Sequence, residues 1–374
     1  MRIKQIGALL LVVILLMTGL TGCGNSTGQG ASSTLTEEEG YVIVKDMYGK
    51  EIKVKQNPQY VASIFASATH VLSLFGDTQK IVAISQGNTR DYLYCKIFPE
   101  ILNARVVKGN SSVNIEEMMK EPVPELIIIN PEAALDDTAA KYFDKNNIPV
   151  LTVAFKNIEE QHEVINALGK IMGREERAQA YVDYSNEITK LVESRVSSIP
   201  EEQKKTLYHA INELLRTDSA ESLSEDWLNQ IGVVNVGMKI NEDAGSLTSK
   251  NYVALEELLK EDPEYIIING ADVYDYIQTN ENLHNLKAFK NNKIFIMPLG
   301  VTRWGHPNSI ETPLAMLWTA KTVYPELFED IDMRTETKEF YKTMFGYDLS
   351  EEEVDNILGG RVYKEIKGSG KSGL

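Results

Sequence analysis

From Tyr41 onward the chain alternates short, uninterrupted apolar runs with stretches whose apolar positions recur every three or four residues. Runs at 61–65, 81–85, 126–130 and 150–155 have the length of buried strands. Between them, 68–75, 115–120 and 136–146 carry helical spacing. Strands apolar along their whole length, alternating with helices, predict a parallel sheet covered on both faces. Ahead of them, 41–45 and 51–55, joined through Tyr48-Gly49-Lys50, predict a hairpin. A different texture follows at 157–198, which holds no Pro and only Gly169 and Gly173. Its apolar residues (Ala180, Val182, Tyr184, Ile188, Leu191, Val192) predict one long helix, or two meeting near Gly173, closed by Pro200. The strand–helix pattern resumes at 206–212, with further runs at 265–269 and 293–297. A helix over 310–323 carries Trp318 and stops before Pro325; shorter helical pieces follow at 339–345 and 350–358.

The two strand–helix regions repeat each other. Ile115-Glu-Glu-Met-Met-Lys-Glu runs into Pro124-Glu-Leu-Ile-Ile-Ile-Asn130, and Leu255-Glu-Glu-Leu-Leu-Lys-Glu runs into Pro263-Glu-Tyr-Ile-Ile-Ile-Asn269. Lys145-Asn146-Asn147 is echoed by Lys290-Asn291-Asn292. Two matches at similar offsets predict two like α/β lobes with the helical segment between them.

The amino terminus precedes this pattern. Arg2 and Lys4 lead a nearly continuous apolar stretch over 6–20, then Leu20-Thr21-Gly22-Cys23. This is the form of an export signal over 1–22, and the tetrapeptide resembles the lipobox of bacterial lipoproteins, with Cys23 the lipidated residue. An uncleaved membrane anchor is the alternative reading. Residues 23–40 have the Gly-, Ser- and Thr-rich composition of a flexible tether. Either reading places the folded part outside the cytoplasm. The tail over 359–374 is rich in Gly and Lys and reads as disordered.

Charge narrows the function classes. With 38 basic and 54 acidic residues the formal net charge is −16; loss of Arg2 and Lys4 with the signal takes it to −18. That excess opposes binding to nucleic acid or to an anionic membrane surface, leaving membrane attachment to the lipid anchor. Two cysteines, Cys23 and Cys95, exclude a disulfide framework and a cysteine-based zinc site. Cys95 reads as a small, partly buried hydrophobe.

Two lobes joined by one long α-helix, behind a lipobox, resemble the extracytoplasmic solute-binding proteins of ABC importers. They are most similar to the group that captures iron–siderophore complexes, haem and cobalamin. The residues that carry the likeness run from Val61-Ala-Ser-Ile-Phe-Ala-Ser-Ala-Thr-His to Leu-Phe-Gly76, with Val113-Asn-Ile-Glu-Glu-Met-Met119 and its strand. The resemblance implies an α/β fold of two Rossmann-like lobes with central sheets on a helical backbone: a lobe over 41–156, a linker helix over 157–200, and a second lobe with terminal helices over 201–358. It implies limited opening and closing, no permanent cofactor, and an ABC permease dimer with its ATPase as partner. It also implies docking on permease arginines through one exposed Glu per lobe, here Glu116 and Glu256, which are equivalent in the repeat.

In open α/β sheets ligands bind beyond the carboxyl ends of the strands. The loops expected there are 66–70, 86–94, 108–112 and 130–133 in the first lobe, and 213–219, 269–276 and 298–308 in the second. Three of the ten arginines fall in them: Arg90, Arg216 and Arg303. Their planar donor forks suit carboxylate, catecholate or oxyanion edges. Tyr92, Tyr94, Tyr274, Tyr276 and Trp304 are expected as flat walls for a bulky ligand. His306, His70 and Asn130 are candidate hydrogen-bonding or ligating residues. His209 reads as a satisfied core residue, and His162 and His284 as structural or exposed ones. No His-rich loop supports a free divalent metal site.

These features point first to an anionic iron complex of the ferric-siderophore kind as transported ligand. Haem, through His306 with His70 or a loop Tyr opposite, and cobalamin come next. Molybdate or tungstate would use the arginines and leave the tyrosines without a role. A chelatase-like enzyme, built on His306 with Glu213 or Glu132, is the least supported reading, since no phosphate loop, nucleophile elbow or H-E-x-x-H is present.

Overall fold

The computed structural model describes residues 38–361 apart from 110–111, 134, 136 and 245–250. The export signal, Cys23, most of the tether and nearly all of the tail lie outside the described residues.

The hairpin forms as expected, with β1 (Tyr41–Lys45) paired antiparallel to β2 (Glu51–Lys55). The first large sheet holds β3 (Val61–Ser63), β4 (Ile81–Ser85), β5 (Arg105–Lys108), β6 (Leu126–Ile129) and β7 (Val150–Thr152). Its spatial order is β5-β4-β3-β6-β7, with every neighbouring pair parallel. The second sheet holds β8 (Thr206–Ala210), β9 (Val234–Asn235), β10 (Tyr265–Ile268) and β11 (Ile294–Ile296). Its order is β11-β10-β8-β9, again parallel throughout. In each sheet the strand order reverses beside the first strand, between β3 and β6 and between β8 and β10. Crevices outside the carboxyl ends of strands open at such reversals.

The strand period of two explains how the sheets pack. In the repeated Pro-Glu-x-Ile-Ile-Ile-Asn segment, Leu126 and Ile128 of β6, and Tyr265 and Ile267 of β10, enter one shared apolar cluster. The alternate residues face outward into separate clusters: Ile127 and Ile129 in the first lobe, and Ile266 and Ile268 in the second. The shared cluster runs from Val42 of the hairpin to Ile357 near the C-terminus, so both sheets bury their inner faces in one core.

Two helices between the sheets build that core. Ile158–Met172 begins at Asn157, whose side chain accepts from the Glu160 amide, and ends at Gly173 in the left-handed region, φ 63°. The Arg174 amide returns to the Gly169 carbonyl at 2.8 Å, a glycine-dependent helix stop. The second helix, Glu175–Val196, then turns back along the first. A Cβ on Gly169 would stand 2.6 Å from that of Ala178, so the pair packs at glycine distance. The linker is therefore two helices meeting at Gly173, the second of the two arrangements its apolar spacing allowed. The helix Thr312–Val323 completes the layer. No helix among the described residues is long and apolar enough to cross a membrane.

Candidate functional site

A cavity of about 370 Å³ opens where the two reversal points face each other. The first lobe lines it with Phe65 after β3, Asn130, Pro131 and Glu132 after β6, and Ala154, Phe155 and Lys156 after β7. The hairpin turn adds Met47, whose amide donates to the Thr152 carbonyl at 2.9 Å and so ties the turn to the cavity wall. The second lobe contributes Asn212, Arg216, Thr217 and Ser219 after β8, then Glu221 and Ser222 at the entry to the helix Leu223–Gln230. Asn251 and the turn His306-Pro307-Asn308 after β11 close the far side.

The loop bearing Arg216 is braced rather than free. Asn212 sits at φ 64°, a left-handed turn that Asn tolerates. The Ile211 amide donates to the Arg216 carbonyl at 2.7 Å, and the Thr217 amide to the Asn251 carbonyl at 3.0 Å. Arg216 also bridges to Tyr252 across an isolated antiparallel pair.

The three arginines take different places. Arg216 lines the cavity, half-buried. Arg303 is exposed at the rim, where its Nη1 donates to Asn212 Oδ1 at 2.5 Å. Arg90 is exposed and bound to Gln86 Oε1 at 2.8 Å, off the cavity wall. Between Arg90 and Arg303 lies Asp91, which the sequence reading passed over. Burial raises its carboxyl pKa to about 6, against the opposing pull of Arg303 and Arg90.

Of the histidines, His306 lines the cavity and accepts at Nδ1 from the Asn308 amide, 3.3 Å away. Loss of water, then the positive charges of Arg303 and Arg216, push its pKa down to about 4. His70 lies behind the wall. It is buried, stands edge-on to Tyr94 with centroids 4.7 Å apart, and faces Asn88 Nδ2 at 3.4 Å. Burial, followed by the nearby His306, depresses its pKa to about 3. The cavity thus holds neutral imidazole beside permanent guanidinium charge. Asn130 lines the cavity and its Nδ2 donates to Glu132, while Glu221 is paired with Lys156 across the two lobes.

The aromatic residues expected as walls do not line this cavity, whose rings are Phe65 and Phe155. Trp304 and Tyr94 are both fully buried. Tyr94 is fixed by a 2.8 Å hydrogen bond to Ser73 Oγ, and Trp304 belongs to the shared core. Tyr274 is half-buried against the outer cluster of the second lobe, and Tyr92 is half-buried at the start of the helix Tyr92–Ile97. Tyr276 is 51% exposed and lines a shallower cavity of about 350 Å³ on the other side of Asn212, with Glu213 and Asp272. Each aromatic follows a strand end, as the reading required. The rings of Trp304 and Tyr94 instead turn inward, into the apolar cluster common to both lobes.

Several lining residues had no signal in the loop inventory. Met47 arrives through a hairpin turn, not a strand end. Ala154, Phe155 and Lys156 follow the carboxyl end of β7, where sheet topology brings them to the cavity. Glu116 and Glu256 are both exposed on equivalent short helices. Their neighbours Glu117 and Glu257 pair with Lys120 and Lys260, so the repeat extends to side-chain contacts. Cys95 is half-buried, and burial raises its thiol pKa to about 11.

Comparison with known proteins places this arrangement. The molybdate-binding protein MolA of Haemophilus influenzae is 21% identical over 328 residues, 81% of this chain and 90% of that protein. Its molybdate-bound structure superposes with a TM-score of 0.70 at 19% identity, covering 83% of this chain and 99% of that one. The uncharacterized ABC transporter substrate-binding lipoprotein YvrC of Bacillus subtilis is 22% identical, covering 86% of this chain and 97% of its own. A periplasmic solute binding protein from Veillonella parvula reaches a TM-score of 0.73 at 24% identity, covering 88% of this chain and 99% of that chain. The sequence pattern of the periplasmic binding protein family matches residues 61–299, well over half the chain. Shared core, facing reversal points and sequence pattern agree: the chain belongs to the periplasmic binding protein family.

Proposed function

We propose that the protein is the solute-binding component of an ABC importer and that its cleft takes a compact, oxygen-rich anion of the molybdate or tungstate kind. The observation that carries this is the lining itself. Arg216 and a set of short polar side chains (Asn130, Asn212, Thr217, Ser219, Ser222) share the cavity lining with Met47, Phe65, Ala154 and Phe155, while Trp304 and Tyr94 are withdrawn into the core. Thr217 and Ser222 give their hydroxyl protons to the His209 and Ser219 carbonyls, and Asn130 Nδ2 donates to Glu132, so Arg216, with Asn212 and Ser219 beside it, is the donor set that suits a small oxyanion. Trp304 and Tyr94 supply no flat wall for a planar macrocycle, and the rings that do line the cavity are Phe65 and Phe155.

Size supports the same choice. At ~30 Å³ per water, a 370 Å³ cavity holds about a dozen waters. A tetraoxoanion with a few ordered waters fits within it. A small anionic iron chelate remains the second reading, favoured by the room left beyond one tetraoxoanion and by Arg303 at the rim. The molybdate-binding relative agrees with the first reading.

The chain would act outside the cytoplasm, held to the membrane by lipid on Cys23, and release its ligand to a permease that grips Glu116 and Glu256. Calorimetric titration of the mature chain with molybdate, tungstate, sulfate, ferric citrate and haemin tests the ligand class. Saturable one-to-one binding of molybdate or tungstate, without turnover, is the expected result. Binding of ferric citrate or haemin with none of the oxyanions would overturn it.

A further inference from the structure

Behind the cavity wall runs a sealed polar chain that the ligand would not touch. His209 in β8 and Asp218 beyond it are both fully buried. His209 Nδ1 stands 2.6 Å from Asp218 Oδ2, and Nε2 stands 3.1 Å from Asn269 Oδ1. The Asn269 amide is oriented by its own Nδ2, which donates to the Gly305 carbonyl at 3.2 Å. With an amide oxygen facing it, Nε2 must carry a hydrogen. The other ring nitrogen faces a carboxylate at charge-assisted distance, so a second proton lies on that line. Burial alone would strip the ring of its charge. The Asp218 charge and the hydrogen bonds to Asp218 and Asn269 outweigh it and raise the His209 pKa. Asp218 Oδ1 has no hydrogen-bond partner among the described atoms, which leaves His209 as its compensation. The other titratable groups facing the pair are Glu225, held by Asn235 Nδ2 at 2.8 Å, and on the cavity side neutral His306, which has Arg303 and Arg216 beside it.

The ligand-facing turn rests on this chain. A Cβ at Gly305 would stand 2.5 Å from Asn269 Oδ1 and 2.7 Å from His209 Nε2, so glycine is what lets the turn seat. The Gly305 carbonyl also accepts from Ser224 Oγ at 3.3 Å. On either side, the His306 amide donates to the Arg303 carbonyl and the Ser309 amide to the His306 carbonyl, each at 2.9 Å. Those bonds place His306 in the cavity and Arg303 at its rim.

We propose that His209, sharing its proton with Asp218, is a positioning residue of the anion site: through Asn269 and the Gly305 carbonyl it fixes the turn that aims His306 and Arg303 at the ligand. The inference rests on the anion reading of the cleft, but its first test needs no ligand. In the ligand-free full chain at pH 6.5, the ordinary midpoint of an imidazole, the His209 ring shows both nitrogens protonated by ¹⁵N resonance, and Asp218→Asn shows one. Amide exchange at His306 and Ser309 is roughly tenfold faster in Asp218→Asn and His209→Gln, with Ile127 and Ile128 of β6 unchanged. Gly305→Ala retains both ionisable groups but pushes Asn269 and His209 off the turn, and so supplies the same readout should the charge variants fail to fold.

Unaltered exchange at His306 and Ser309 in every folded variant overturns the proposal. So does a singly protonated His209 ring in the wild type. In the ligand arm, the variants bind molybdate about tenfold more weakly, and retention of wild-type affinity despite faster exchange would also overturn it. Failure of molybdate to bind the wild-type chain removes the anion reading alone, because the exchange arm still decides the positioning role.

Discussion

Arg216→Ala is the most direct probe of the cleft. Among the described residues Arg216 is the guanidinium that lines the cavity, and its loop does not depend on the side chain. The backbone is held by Ile211 N to Arg216 O at 2.7 Å, Arg216 N to Glu213 O at 3.1 Å, and the pairing with Tyr252. Truncation therefore removes the donor fork and leaves the wall standing. A charge pair 4 Å apart at an effective dielectric near 20 gives an upper limit of about 4 kcal/mol. The half-exposed guanidinium is partly hydrated before binding, so the net loss falls in the range of ~1.5–3 kcal/mol for a hydrogen bond to a charged group. At ~1.4 kcal/mol per decade that is about a 10- to 150-fold weaker Kd for molybdate. Arg216→Lys restores part of it, since a point charge replaces a planar fork. Arg90→Ala serves as control and changes Kd less than about threefold, because Arg90 is exposed and engaged with Gln86. Calorimetric titration at two salt concentrations decides the matter. An Arg216→Ala protein whose Kd stays within threefold of wild type refutes the anion site as drawn.

Other expectations follow from the buried and paired charges. Glu311 is fully buried, and burial raises its pKa to about 7 from 4.5, against hydrogen bonds from Tyr341 and Thr302. Its raised folded-state pKa gives stability that is complete below pH 4.5 and lost as the pH rises through 7, about 3 kcal/mol at ~1.36 kcal/mol per unit. Glu311→Gln cannot ionise, so its Tm falls less between pH 5 and 8 than that of wild type; parallel Tm curves would count against this. Lys156→Ala leaves Tm unchanged, since the Lys156–Glu221 pair is exposed, and weakens molybdate binding a few-fold at low salt by leaving Glu221 uncompensated at the cleft. An effect that persists at high salt would mean Lys156 contacts the ligand. A bound dianion opposes the depression of His306, so binding takes up a proton and affinity rises as pH falls from 7.5 to 5.5. His306→Gln flattens that slope, and an unchanged slope in the variant refutes the linkage.

The fold was legible because the sequence spells one unit twice. Pro-Glu-x-Ile-Ile-Ile-Asn is apolar at every strand position, which only a strand buried on both faces can use. Its period of two also states that the faces enter different cores, though not that one core is common to both lobes. Two strands escaped the pattern. Arg105–Lys108 is Arg-Val-Val-Lys at a sheet edge, where charges flank a pair too short to register, and Val234–Asn235 has two residues. Tertiary pairing makes both into strands, and nothing local does. In the site, strand ends located His306, Asn130 and Arg216, because topology decides where a loop goes. The same rule could not tell which way a loop side chain turns. Trp304 and Tyr94 carry the chemistry of a cleft wall, yet the surface available beneath each loop sends them inward, and that is a property of packing.

The shared core also constrains how a ligand is captured. Tyr265 and Ile267 from one sheet and Leu126 and Ile128 from the other belong to one cluster with residues of both linking helices and of Thr312–Val323. Wide opening of the lobes would expose part of that cluster, at ~25 cal/mol for each Å² of apolar surface. Polar bonds reinforce the tie. Gln161 Nε2 donates to the Ser309 carbonyl at 2.8 Å, and Tyr181 OH to the Ile310 carbonyl at 2.9 Å, so both linking helices grip the segment that follows His306. Thr302 and Tyr341 hold its other end through Glu311. What can yield at low cost lies at the cleft mouth: the exposed Lys156–Glu221 pair, the Arg303 side chain on Asn212, and Met47 on its hairpin turn. Capture then means closing side chains over a preformed floor, and the floor's shape is decided where Gly305 meets Asn269 and His209.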